Sequence, residues 1–159
     1  SILIASGSTI ALFAEAIKPK GRLNVVSVSV NISAQLGDIP GITVMQVGGI
    51  LFGNTLSVLG SEASNTIENL FCSKVFFGVD GIDLEYGLTC GTGEEATITK
   101  KMMTSSQTSI VLSDSSKIGQ RGFARICEVG DIDILITDSG ISDEMKKRIE
   151  HLGVKLIIV

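Results

Sequence analysis

Ile2-Leu3-Ile4-Ala5-Ser6-Gly7-Ser8-Thr9-Ile10 opens the chain, and its reading decides the fold. The apolar run Ile2 to Ala5 suits a buried strand. Beyond it, Ile10, Phe13, Ala14 and Ile17 recur at i, i+3, i+4 and i+7, one face of a helix. A strand therefore enters a turn of small residues, and the turn opens a helix. Gly7 permits the tight bend, and Ser8 and Thr9 are suitable helix caps. The N–H groups at a helix start, with the positive end of the helix dipole behind them, attract anions. Hydroxyls at Ser6, Ser8 and Thr9 add donors, and phosphate is the natural guest. An ordinary capped turn between a strand and a helix would use the same residues.

The same alternation continues along the chain. Leu23 to Val28 reads as a strand, Val30 to Leu36 as a short helix, and Ile42 to Val47 as a strand that ends at Gly48-Gly49. Ile50 to Val58 reads as a loop. Ser61 to Leu70 is a helix with Ala63, Ile67 and Leu70 on one face, and Val75 to Val79 is a strand. Glu94 to Ser106 is a helix, with acids first and lysines later. Ile110 to Leu112, Ile132 to Thr137 and Val154 to Val159 are strands. Between the last two, Ser142 caps a helix whose apolar face is Met145, Ile149 and Leu152, and Gly153 closes it. Strands written as unbroken Val/Ile/Leu runs, alternating with helices, predict a mostly parallel sheet covered on both faces: an open, doubly wound α/β fold.

A chain of 159 residues fits one domain with a real core. Mean hydropathy is +0.42, yet no apolar run approaches the 18 residues of a membrane span. The apolar excess predicts two-sided burial of the sheet and a homo-oligomer. The charged n-region and cleavage pattern of a signal peptide are absent, so none is expected. The abrupt start at Ser1 leads us to expect a further segment upstream. The net charge of −4 makes the chain a poor nucleic-acid binder by itself. Cys72, Cys90 and Cys127 are odd in number and show no C-x-x-C spacing, so neither a disulfide framework nor a zinc site is expected. That pattern fits a reducing cytoplasm. His151 is the sole histidine, which excludes a histidine-based triad or metal site. No cofactor is expected.

In an open parallel sheet, ligands bind beyond the carboxyl ends of the strands. The polar residues that follow strands are Ser6 to Thr9, Ser27 and Ser29, Gly48 and Gly49, Asp80 with Asp83, and Asp114 to Lys117. Asp80 and Asp83 place two carboxylates on one tight loop, suited to sugar hydroxyls or to general-base chemistry; a plain Asp/Gly turn is the alternative. Gly87-Leu88-Thr89-Cys90-Gly91-Thr92-Gly93 reads either as a lid over a ligand or as a plain connection. Cys90 has no basic sequence neighbour to activate it, and is read as a small filler. Lys117 supplies a point charge for a phosphate, or else is an ordinary solvated lysine.

Taken in order, these motifs resemble the effector-binding domain of DeoR-family bacterial transcriptional repressors over nearly the whole chain. The resemblance rests on Ser6-Gly7-Ser8-Thr9, Gly48-Gly49, Phe76 to Ile82, Tyr86 to Thr89, Glu95-Ala96 with Lys100, Asp114 to Gly119, Phe123 to Arg125, and Ile132 to Asp138. It implies a Rossmann-like fold of the sugar-phosphate isomerase or CoA-transferase type. It also implies a phosphorylated-sugar effector held by the strand-end residues together with Glu95 and Lys100. It further implies an upstream winged helix-turn-helix domain through which operator DNA is bound. Two departures stand out. Ile50-Leu51-Phe52 follows the Gly-Gly pair where the family often carries a basic residue, and Ser27-Val28-Ser29 replaces a T-N-S motif. An isomerase or deaminase using Asp80, Asp83 or Glu95 as base is the competing expectation. Against it, Leu84 to Gly93 contains no lysine, where the isomerases carry one before a run of glycines, and His151 is badly placed for a deaminase relay.

Overall fold

A computed structural model describes residues 1–53 and 55–159. Its elements run β1 (Ile2–Ile4), α1 (Ser8–Ala16), β2 (Leu23–Ser27), α2 (Val30–Gly37), β3 (Ile42–Gln46), β4 (Ile50–Phe52), β5 (Ser57–Leu59), α3 (Ser61–Glu68), β6 (Cys72–Phe77), β7 (Gly81–Asp83), β8 (Gly87–Cys90), α4 (Gly93–Thr104), β9 (Ser106–Leu112), β10 (Ala124–Cys127), β11 (Ile134–Thr137), α5 (Asp143–His151) and β12 (Lys155–Ile158). Seven strands form a sheet in the order β12-β11-β9-β6-β1-β2-β3, and every pairing in it is parallel. This is the α/β architecture the strand pattern predicts.

Successive residues of a strand face opposite sides of the sheet, and here both sides are apolar. Ile4 and Val25 pack with Ile10 and Ala14 of α1 and Ile32 and Leu36 of α2. Leu3, Val26, Val75 and Phe77 pack on the other side with Ala63 and Ile67 of α3 and Ala96 and Met102 of α4. From β1 the chain moves outward through β2 and β3, then crosses back to place β6 on the other flank of β1. The crevice where that direction reverses is where ligands bind in such sheets.

Two stretches differ from their sequence reading. The expected loop at Ile50 to Val58 contains the antiparallel pair β4–β5, with Asn54 outside the described residues. The pair docks on the end of β2: the Val58 N–H donates to the Val28 carbonyl at 2.7 Å, and the Val30 N–H to the Leu56 carbonyl at 3.0 Å. The Gly87-to-Gly93 stretch is neither lid nor plain connection through Cys90. Gly87–Cys90 is the buried central strand of a small antiparallel sheet, β10-β8-β7. Small residues let its backbone run close beside its partners, and at Gly87 (φ 108°) an added Cβ would collide with the Cys127 carbonyl.

Candidate functional site

A cavity of about 490 Å³ opens at the carboxyl ends of the parallel strands. Ala5 to Ile10 line it after β1, Gly78 to Asp80 after β6, and Ser113, Asp114 and Lys117 after β9. Cys90 to Thr92 and the α4 residues Glu95, Ile98 and Thr99 form another wall, and Val28, Thr55 and Leu59 complete the lining. The volume lies in the range of small-molecule sites.

The turn at the cavity differs from its expected form in one respect. Gly7, not a hydroxyl residue, stands at the N-cap of α1, and no side chain caps the helix. Ser8 and Thr9 are already its first two residues and are exposed. Among the described residues, the helix start therefore keeps its first-turn amides free of a side-chain acceptor, the condition under which a helix N-terminus receives an anion.

Lys117 closes a 3₁₀ turn, Ser115–Lys117, and is half-buried. Two aspartates fix that turn. Asp114 accepts from the Ser116 N–H at 2.9 Å and from the Ser116 hydroxyl. Asp138, just beyond β11, accepts from the Ser115 N–H and hydroxyl and from the Gly140 N–H, each at 2.7 Å. The Ser115 N–H first, then its hydroxyl, holds the Asp138 carboxyl below the usual range. Asp138 thus ties the lysine-bearing turn to the neighbouring strand end. Its place in the Ile132-to-Asp138 run was visible in the sequence; that its partner is Ser115 required the fold.

The cavity brings together Ser6, Gly7, Ser8, Thr9, Asp80, Glu95 and Lys117. Ser27, Ser29, Gly48, Gly49, Asp83 and Lys100 lie outside its lining. Ser27 and Ser29 are buried where the β4–β5 pair covers the end of β2, and the Ser27 hydroxyl donates to the Ser29 carbonyl at 3.3 Å. Gly48 and Gly49 lead into that pair, and Gly49 (φ 148°) passes so near the Leu59 carbonyl that an added Cβ would stand 2.7 Å from it. Lys100 is exposed on α4.

Asp83 does not join Asp80. It sits in β7, accepts from Arg121 Nε at 2.7 Å and from the Glu85 and Tyr86 N–H groups at 2.9 and 2.7 Å. The Arg121 hydrogen bond is the chief reason its pKa is lowered to about 2. With a folded pKa below the unfolded one, the stabilisation is present above the ordinary carboxylate range and is lost as pH falls towards 2. Asp83 is therefore engaged in holding the small sheet. Sequence reading missed Thr92, Thr99 and Thr55; for Thr99 the available signal was its i+4 spacing from Glu95.

Cys90 lines the cavity, yet burial is the chief reason its thiol is pushed up to about 11, and burial likewise takes Cys127 to about 12. Cys90 should resist alkylation by iodoacetamide in the folded protein at pH 7.5. Fast, stoichiometric labelling of Cys90, located by peptide mass, would contradict the filler role.

The model of the DeoR C-terminal sensor domain matches residues 1–139. The chain belongs to this family. Among curated relatives, the HTH-type transcriptional regulator YulB of Bacillus subtilis is 32% identical over 157 residues, 99% of this chain and 61% of that protein. The HTH-type transcriptional repressor GlcR of Bacillus subtilis is 30% identical over 134 residues, 84% of this chain and 52% of that protein. The chain thus spans less than two thirds of the length of these relatives. Among solved structures, eIF2B beta from Chaetomium thermophilum superposes with a TM-score of 0.53 at 16% identity, over 84% of this chain and 42% of that one, a likeness of fold alone. The DeoR sensor domain described here is accordingly of the kind found in transcriptional regulators. Among the described residues no helix is long and apolar enough to cross a membrane.

Proposed function

We propose that this DeoR sensor domain binds a phosphorylated sugar and relays its presence to a DNA-binding domain elsewhere in the full-length regulator. The observation that carries the reading is the convergence of the uncapped α1 start, Ser6 to Thr9, and Lys117 on one cavity. The turn supplies backbone N–H groups, and the lysine supplies countercharge from a strand two places away in the sheet. Asp80 and Glu95 offer carboxylate oxygens to the sugar. Operator DNA would be contacted by a winged helix-turn-helix segment, since this chain carries a net charge of −4. Binding controls operator affinity only if the effector binds two conformations of the regulator unequally.

The sensing role is favoured over isomerase or deaminase catalysis by the composition of the cavity wall. No histidine lines the cavity, and its wall from Cys90 to Thr92 carries no lysine. Incubating the chain with phosphorylated pentoses and hexoses should leave each unconverted, as followed by NMR. Steady conversion proportional to protein, and lost in Asp80→Asn, would replace the sensing role with an enzymatic one.

The domain is further proposed to self-associate. Ile50, Leu51, Phe52 and Leu56 are all exposed on or beside the β4–β5 pair, and such clustered apolar surface marks interaction sites. Light scattering at tens of micromolar should give more than one chain per particle. A monomer would contradict this.

A further inference from the structure

Two stretches that neither the large sheet nor the cavity uses meet on the outside of the small sheet β10-β8-β7. Tyr86 stands just before β8, Arg121 and Phe123 lead into β10, and Arg125 lies in it. The Arg121 guanidinium sits over the Tyr86 ring, 5.3 Å from its centre, and that of Arg125 sits 5.8 Å from the same centre. Phe123, between the two arginines in sequence, is 83% exposed, and Tyr86 is exposed as well. Aromatic and arginine side chains are the residues enriched at protein–protein contacts, and tyrosine and arginine are enriched among their hot spots.

The surface is held in one shape. The Gly119 N–H donates to the Ile82 carbonyl at 2.7 Å, and the Gly122 N–H to the Thr89 hydroxyl at 2.7 Å. On the other side of Phe123, Ala124 pairs with Cys90 of β8. The backbone that presents the phenyl ring is thus pinned on both sides. A surface fixed before it associates loses little conformational freedom on docking. The same framework reaches the cavity: the Asp80 N–H donates to the Thr89 carbonyl at 2.8 Å, and Lys117 stands two residues before Gly119.

We infer that this face is a second self-association surface, on which another copy of the chain docks about a two-fold axis. Its charges select that occupant. Arg121 is paired with Asp83 at 2.7 Å and Arg125 with Glu128 at 3.3 Å, and Glu85 is exposed beside Tyr86. A nucleic acid would meet guanidinium groups that are already paired and carboxylates that repel it. A two-fold contact instead requires a patch complementary to itself. This one presents guanidinium planes, aromatic faces and carboxylates together. Each copy can set an arginine over its partner's ring and opposite its partner's acid. The face lies in a different sheet from the β4–β5 pair, so it goes beyond the contact proposed there. Two distinct two-fold faces on one chain build a dimer of dimers.

The test is particle mass by light scattering for the wild-type chain and for Phe123→Ser, Phe52→Ser and Phe71→Ser, each checked for folding by circular dichroism. Phe123→Ser should lower the mass to about half, because it removes one of two faces. Phe52→Ser, in β4, should do the same through the other face. Phe71 is 72% exposed but lies outside both patches, so Phe71→Ser should keep the wild-type mass. If folded Phe123→Ser keeps the wild-type mass, the inference falls, whatever Phe52→Ser does. If Phe52→Ser keeps the mass while Phe123→Ser gives single chains, the β4–β5 contact is wrong and this face is the contact between copies. If Phe71→Ser lowers the mass as Phe123→Ser does, the loss belongs to no particular face and the inference falls. A monomeric wild-type chain overturns both contacts. Should Phe123→Ser not fold, Arg125→Glu carries the same comparison by reversing an exposed charge at the centre of the face.

Discussion

Lys117→Ala should weaken binding of the phosphorylated effector by about one to two orders of magnitude. A hydrogen bond to a charged group contributes about 1.5–3 kcal/mol, and each 1.4 kcal/mol is a factor of about ten in affinity. The backbone that presents the lysine should not change. The Lys117 N–H donates to the Asp114 carbonyl at 3.2 Å, a bond that alanine keeps, and Asp114 and Asp138 hold the turn through Ser116 and Ser115. Stability should therefore move by no more than about 0.5 kcal/mol. Calorimetry and urea unfolding on the same preparation separate the two effects. Wild-type affinity in the folded variant would remove Lys117 from the site and leave phosphate recognition to the turn.

Gly87→Ala should destabilise the fold by about 3 kcal/mol or more. Two costs add. Gly87 has φ 108°, where an L side chain is strained, a cost of about 1–3 kcal/mol. Its Cβ would also meet the Cys127 carbonyl, which is backbone paired with β8 and has little room to yield. Overpacking of this kind costs about 1–3 kcal/mol. The midpoint of thermal unfolding should fall by roughly 6–12 °C for a domain of this size. Gly119→Ala is the internal control, because φ is again positive at 83° but nothing lies within 4 Å of the added atom. It should show the backbone cost alone. A Gly87→Ala protein within 1 kcal/mol of wild type would mean that β8 and β10 do not run as closely as described.

The two glycines also show where sequence reading reaches its limit. The seven-stranded sheet was legible because strands buried on both faces must be apolar at every position, as in Leu3-Ile4 and Val25-Val26, which serve opposite sides of the sheet. The small sheet was not. Gly87-Leu88-Thr89-Cys90 has weak intrinsic strand preference, and its pairing is set by tertiary neighbours. Thr89, fully buried, receives the Gly122 N–H at 2.7 Å, and its carbonyl receives the Asp80 N–H at 2.8 Å. No local pattern announces contacts over such separations.

The candidate site divides in the same way. Ser6 to Thr9, Asp80 and Lys117 could be placed by one rule, that residues after parallel strands gather at one sheet edge. The rule does not say what covers that edge. The β4–β5 pair docks over the end of β2, so Ser27 and Ser29 are buried beneath it and Gly49 serves its close approach. Asp83, only three residues from Asp80, is drawn away by Arg121. Glu95 reaches the cavity because α4 starts beside it, and Lys100 on the same helix does not.

The most direct test of the central claim is a thermal-shift comparison of pentoses and hexoses with their phosphate esters on the wild-type chain. At 100 times its dissociation constant a ligand adds about 2.7 kcal/mol of stability, or roughly 5–11 °C in a domain of this size. At least one ester should raise the unfolding midpoint by that order, and its parent sugar should not. No shift with any ester, or an equal shift with the parent sugar, would contradict a phosphate site formed by Ser6 to Thr9 and Lys117.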